Sequence, residues 1–164
     1  MSLKRFFQFF NFSNIFVAFC VLSLTVSSEV LLDTANDTIS QFVFFATLFT
    51  YNFQRVIKFK QREKHLQKES QENNKISTYL IMITGGIMSA YHFYYFQTNT
   101  QIAIIFSGIL SVLYPFGIRK IPFSKIFIIA LIWTISSMFL LVLENNILIN
   151  QNIILHLIAR FLFV

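Results

Sequence analysis

The chain reads as an all-α, polytopic transmembrane helical bundle with five full spans, an incomplete sixth helix and a cytoplasmic N-terminus. Three observations predict this: the length of its apolar stretches, the sorting of its basic residues, and its composition. Apolar stretches run from about Asn14 to Leu32, Ile39 to Ile57, Ile76 to Phe96, Gln101 to Ile118 and Ile126 to Leu143, and a sixth begins near Ile153. Each of the first five is close to the roughly 20 residues a helix needs to cross the hydrocarbon core. With the N-terminus inside, twelve of the thirteen lysines and arginines fall in cytoplasmic segments, at positions 4 and 5, 55 to 75, and 119 to 125, with Arg160 the exception. Basic residues are retained on the cytoplasmic side of a membrane, so this sorting sets the orientation and points to a bacterial inner (plasma) membrane. Hydrophobic residues make up 55% of the 164 and charged residues only 12%, too little polar surface for a soluble globule of this size.

The net charge of +6 calls for no nucleic acid, because its basic residues belong to loops that anionic lipid headgroups attract. Membrane lipids are the first partners expected. Cys20 is the single cysteine and lies within the first apolar stretch, which excludes a disulfide framework and a thiolate metal site. It reads as a small packing residue.

The first stretch admits two readings. Lys4 and Arg5, then Ile15 to Leu24, then Val26-Ser27-Ser28 also form a signal-peptide pattern, but cleavage would remove the first span, and retention is the simpler account. The loops on the outer side contain Asp33, Asn36 and Asp37, then Gln97 to Thr100, then Glu144 to Asn152, all acidic or neutral. In the third stretch, Gly85-Gly86 and Ala90 supply a small face for close helix approach. Its outer end, Tyr91 to Phe96, is an interfacial aromatic belt, in which His92 reads as an interfacial hydrogen-bonding residue rather than a metal ligand. The inner loop from Lys58 to Lys75 is rich in helix formers between Gln61 and Glu72. It reads as a solvated or surface-lying helical extension, with binding of an anionic ligand such as a diphosphate as the functional alternative.

The cytoplasmic end of the second stretch, Thr50-Tyr51-Asn52-Phe53-Gln54-Arg55, gathers most of the chemistry. Tyr51, Arg55 and Lys58 share a helical face at spacings of four and three, and Asn52 neighbours Arg55. Such a corner is either an interface anchor, with Arg55 snorkelling, or a site for an anionic group, which requires polar side chains facing the bundle interior.

These residues resemble the UbiA-type membrane prenyltransferases. The resemblance rests on Thr50 to Arg55, on Leu113-Tyr114-Pro115 leading to Arg119-Lys120, and on the segment Ile121 to Phe127. It implies an all-helical intramembrane enzyme that transfers a prenyl group from a prenyl diphosphate to an aromatic or related acceptor, with magnesium held by two aspartate-rich motifs on the cytoplasmic side. This chain departs from that pattern. If the Asn of the first motif is Asn52, its three aspartates are replaced by Phe53, Val56 and Lys60, and the second motif would lie beyond Val164. The magnesium ligands are therefore missing. On this reading Asn52, Arg55 and Lys58 are the remnant of a diphosphate site, binding through charge-assisted hydrogen bonds, and Tyr114, Arg119 and Lys120 converge on the same inner cavity. Magnesium favours carboxylate and phosphate oxygens. The cytoplasmic carboxylates are Glu63, Glu69 and Glu72 in the basic loop.

Two functions follow. One is the N-terminal part of a prenyltransferase, inactive alone. The other is a non-enzymatic membrane protein that serves as a partner subunit or lipid-binding scaffold. A transporter is less supported, since the clearly intramembrane charges are Glu29 and Arg160. Arg160 shares a face with His156. It is either a paired, functional intramembrane charge or part of a frayed helix that does not insert.

Overall fold

The computed structural model describes residues 14–34, 37–63, 72–113 and 124–163. All regular structure among them is helical: α1 (Ile15–Leu31), α2 (Asp37–Glu63), α3 (Glu72–Tyr95), α4 (Thr98–Leu113), α5 (Ser124–Thr134), a π-helical turn (Ile135–Phe139), α6 (Leu140–Glu144) and α7 (Gln151–Phe163). The π turn joins α5 to α6 without a break, so 124–144 is one rod. The expected sixth helix is α7.

Local chemistry accounts for the ends. Both α1 and α6 terminate with a polar residue in the left-handed region, Asp33 at φ 51° and Asn146 at φ 49°. Short polar side chains tolerate that backbone better than other non-glycine residues do. Behind each, the orphan carbonyls are closed: Thr34 N–H donates to Glu29 O at 3.0 Å, and Ile147 N–H to Val142 O at 3.0 Å, the pairing of a Schellman turn. Asn150 caps α7, its Oδ1 accepting from Ile153 N–H at 2.9 Å. Glu144 holds the start of α4. Its carboxylate accepts from Gln97 N–H at 3.1 Å, and its carbonyl accepts from the Gln97 amide at 3.0 Å, which places negative charge at a helix N-terminus.

α2 is the axis of the bundle. Ile39, Phe42, Val43, Leu48, Asn52 and Val56 are all buried. α3 lies along it most closely, because a Cβ at Gly85 would stand 2.9 Å from the Phe45 carbonyl oxygen and 3.0 Å from Phe49 N. The small face expected at Gly85-Gly86 is thus a contact between backbones. α1 packs on another side of α2, and the core joins Val21, Ile39, Phe42, Phe96 and Leu141. At the same end, buried Glu29 accepts from the Ser40 hydroxyl at 2.5 Å, tying α1 to α2.

The outward faces are apolar. Phe16 and Val30 on α1, Ile87 on α3, Ile102 on α4, Phe127 on α5 and Leu155 on α7 are all exposed. Among the residues whose side chains are described, the charged ones, Glu29, Asp33, Asp37, Arg55, Glu144 and Arg160, are either at the ends of helices or at least partly buried. A soluble monomer rarely exposes contiguous apolar patches beyond a few hundred Å².

Helix lengths differ from the five full spans expected. Ile126–Glu144, 19 residues, is the one described stretch both long and apolar enough to cross a membrane. α1 and α4 are apolar but have 17 and 16 described helical residues, about 25 Å at 1.5 Å per residue against a core of about 30 Å. α2 and α3 are longer, at 27 and 24 residues, but carry more polar side chains. α2 continues to Glu63 and α3 begins at Glu72, so helix extends from both sides into the basic segment, as its composition suggests.

Candidate functional site

A cavity of about 400 Å³ lies inside the bundle, walled by α1 to α6 and the π turn. Along α2 it runs from Phe42 to Phe53, about 16 Å at the helical rise. Phe42, Phe49, Phe93 and Trp133 form its aromatic walls, and Ser89, Ala90, Ser107, Gly108 and Ser136 give it room. Gly108 faces open space, since a Cβ built there meets nothing within 4 Å.

The wall hydroxyls make the cavity less polar than its sequence. Thr47 donates to Val43 O at 2.7 Å, Ser107 to Ile104 O at 3.0 Å, Ser111 to Ser107 O at 2.9 Å and Ser136 to Trp133 O at 3.2 Å. Each hydroxyl thereby spends its proton on its own helix. What these four residues present to the cavity is carbon and acceptor lone pairs.

Part of the polar corner forms one end of this space. Thr50, Tyr51 and Phe53 line the cavity itself, and the Tyr51 hydroxyl accepts a hydrogen bond from the Trp133 indole of α5. Asn52 is fully buried and turned to α1: its amide donates to Leu48 O at 2.8 Å and its Oδ1 accepts from the Asn14 amide at 3.3 Å. Gln54 turns to α4, donating to Ser111 O at 3.2 Å. Arg55, partly buried, follows on the next turn. Tyr51, Asn52 and Gln54 thus each bond toward a different neighbouring element. Lys58 lies on α2, but its side chain is outside the described residues, as are Tyr114, Arg119 and Lys120 altogether.

Magnesium does not fit the described part of this corner. Asn52 already uses its amide and carbonyl on protein partners, its neighbour Arg55 is a cation, and the described residues contain no group of three or more His, Cys, Asp or Glu that could hold a metal ion.

His92 departs from the expected interfacial role. It is 8% exposed, stacks on Phe45 with ring centroids 6.4 Å apart, and its Nε2 has no hydrogen-bond partner among the described residues. The close approach of α3 to α2 draws it inward, while Tyr91, Tyr94 and Tyr95 of the same belt stay exposed. The reading of the sequence did not reach the cavity, Trp133 or the π turn. Small residues spaced along α3, α4 and α5 were the available signal, and they matter only once those helices are assembled.

Fold and site together define, among the described residues, a helical protein with one candidate membrane span, apolar outward faces and a largely apolar cavity between its helices. No family model, curated protein or solved structure matches the chain.

Proposed function

We propose that the protein is a multi-pass integral membrane protein, N-terminus in the cytoplasm, whose bundle binds a single-chain apolar lipid, an isoprenoid with an anionic head. The observation that carries this reading is the elongated cavity itself, whose walls are apolar and which has Thr50, Tyr51 and Phe53 at one end, with Arg55 following on the next turn of α2. A volume of about 400 Å³ falls in the range of about 300–1,000 Å³ usual for small-molecule sites. The chain of the ligand lies against the aromatic walls and its head sits at the cytoplasmic end, where Arg55 and Lys58 supply positive charge. Five spans in the membrane account for the sorting of basic residues and for the apolar outward faces on α1, α3, α4, α5 and α7, the shorter helices being completed by local thinning of the bilayer.

Transfer of a prenyl group, which the resemblance implies, is the second reading. Its support is that Thr50, Tyr51 and Phe53 line the cavity. A prenyl diphosphate is the ligand both readings share.

Trp133 is the single tryptophan and lines the cavity. Titrating the purified chain in nanodiscs with a prenyl diphosphate is therefore expected to change Trp133 emission saturably, with the matching prenyl alcohol binding more weakly. Unchanged emission, together with no bound ligand by native mass spectrometry, would remove the binding function.

A further inference from the structure

Arg160 stands apart from the other basic residues, and the structure gives it a defined place. From α7 its side chain reaches α1, where Nη1 donates to the Leu24 carbonyl at 3.3 Å and Nη2 to the Ser28 hydroxyl at 2.8 Å. Ser28 in turn donates to Leu24 O at 3.0 Å, so it offers the guanidinium only lone pairs. Side chains on a helix lean toward its N-terminus, which turns Arg160 back toward the acidic end of the bundle. Its two acceptors lie three and seven residues before Leu31, the end of α1, or about 5 and 10 Å inside that end. Arg160 is thus hydrogen-bonded to α1 through two neutral acceptors.

Both acceptors are neutral. The adjacent carboxylate, Glu29, is turned to Ser40 on α2, and no ion pair to Arg160 occurs among the described residues. A guanidinium has five N–H donors, of which two are used on α1. Beside it, Ile154, Leu155, Ile158 and Leu162 of α7 are exposed, while Phe161 packs on Phe127 of α5 at 6.4 Å between ring centroids. The uncovered side of α7 is thus apolar, with one cation near it. A cation within the hydrocarbon is costly unless paired. Headgroup phosphates stay at the interface, so a counter-charge at this depth has to be carried by a helix.

We infer that the α1–α7 face docks a transmembrane helix of a partner that carries an Asp or Glu at the depth of Arg160. Ser28 and the Leu24 carbonyl hold the guanidinium in place, and its remaining N–H groups meet the carboxylate. Apolar residues of the partner cover Ile154, Ile158 and Leu162. This inference rests on the membrane-spanning reading above, and not on the ligand of the cavity.

The test uses the full chain in zwitterionic phosphatidylcholine vesicles with dansyl-labelled Leu-rich transmembrane peptides, identical except for Glu, Gln or Leu at the matching depth. Energy transfer from Trp133 to the dansyl group reads association. Quenching of Trp133 by brominated acyl chains in the same vesicles reads insertion, so that failure to insert is told apart from failure to dock. The Glu peptide is expected to associate about tenfold more tightly than the Leu peptide, with Gln between them. Arg160→Met is expected to bring all three within twofold, and Arg160→Lys to keep part of the preference. Equal association of the three peptides with the inserted wild-type chain would overturn the inference, as would a Glu preference that survives Arg160→Met. Loss of the preference when phosphatidylglycerol replaces part of the phosphatidylcholine would also overturn it, reassigning Arg160 to a headgroup.

Discussion

Gly85→Leu is expected to force α2 and α3 apart and to lower the thermal midpoint of the detergent-solubilised protein by roughly 5–10 °C. The added side chain has nowhere to go: even a Cβ would sit 2.9 Å from the Phe45 carbonyl oxygen and 3.0 Å from Phe49 N, and those are backbone atoms that cannot rotate away. Overpacking of this kind costs about 1–3 kcal/mol in a well-packed core, and a chain of this size loses roughly 2–4 °C per kcal/mol. Gly85→Ala should show a smaller loss of the same sign. At Gly86 the neighbour is the Phe49 ring at 3.2 Å, a side chain that can shift, so Gly86→Ala is expected to be milder. Gly108→Ala is the control, with no contact within 4 Å and the helix propensity of alanine in its favour. A midpoint for Gly85→Leu within 1–2 °C of wild type, roughly the spread of surface substitutions, would show that the two backbones are not packed as described.

Gly108→Phe is expected to leave the fold intact and to reduce prenyl diphosphate affinity at least tenfold. The position lies on the cavity wall and opens to empty space, so a benzyl group occupies the volume of the ligand instead of displacing protein. Loss of the saturable Trp133 response with an unchanged thermal midpoint would place the ligand in the cavity. Retention of wild-type affinity would place it elsewhere. Asn52 and Tyr51 are poorer probes, because each is hydrogen-bonded to a neighbouring helix and its loss would disturb packing as well as binding.

The helices were legible in the sequence because each is a long apolar run bounded by charge or by Asn and Asp. The helices α1 (Ile15–Leu31), α3 (Glu72–Tyr95) and α7 (Gln151–Phe163) lie within a few residues of the stretches that hydropathy marks. The close contact at Gly85 was legible for a related reason, since paired glycines in an apolar helix leave a face that only another helix can fill.

Other features depend on assembly. The cavity is the residue of volume left where Ser89, Ser107, Gly108 and Ser136, each unremarkable on its own helix, come to face one another. The π turn at Ile135–Phe139 carries no local mark, for its Ile, Ser, Met and Phe are common in ordinary apolar helix. His92 was misplaced because periodicity cannot say which side of an aromatic belt faces a neighbouring helix, and its burial against Phe45 follows from the glycine contact further down α3. The seating of Arg160 on Ser28 joins residues 132 apart in sequence, beyond the reach of local pattern.

The central claim is that this bundle spans the membrane several times with its basic segments inside. In a Cys20→Ser background, single cysteines at Asn73, Gln97 and Asn146 would be probed with a membrane-impermeant maleimide in intact bacterial cells and again after permeabilisation. Gln97, before α4, and Asn146, after α6, are expected to label in intact cells, and Asn73, at the start of α3, only once the membrane is opened. Equal labelling of all three in intact cells, or recovery of the chain in the soluble fraction, would contradict the account.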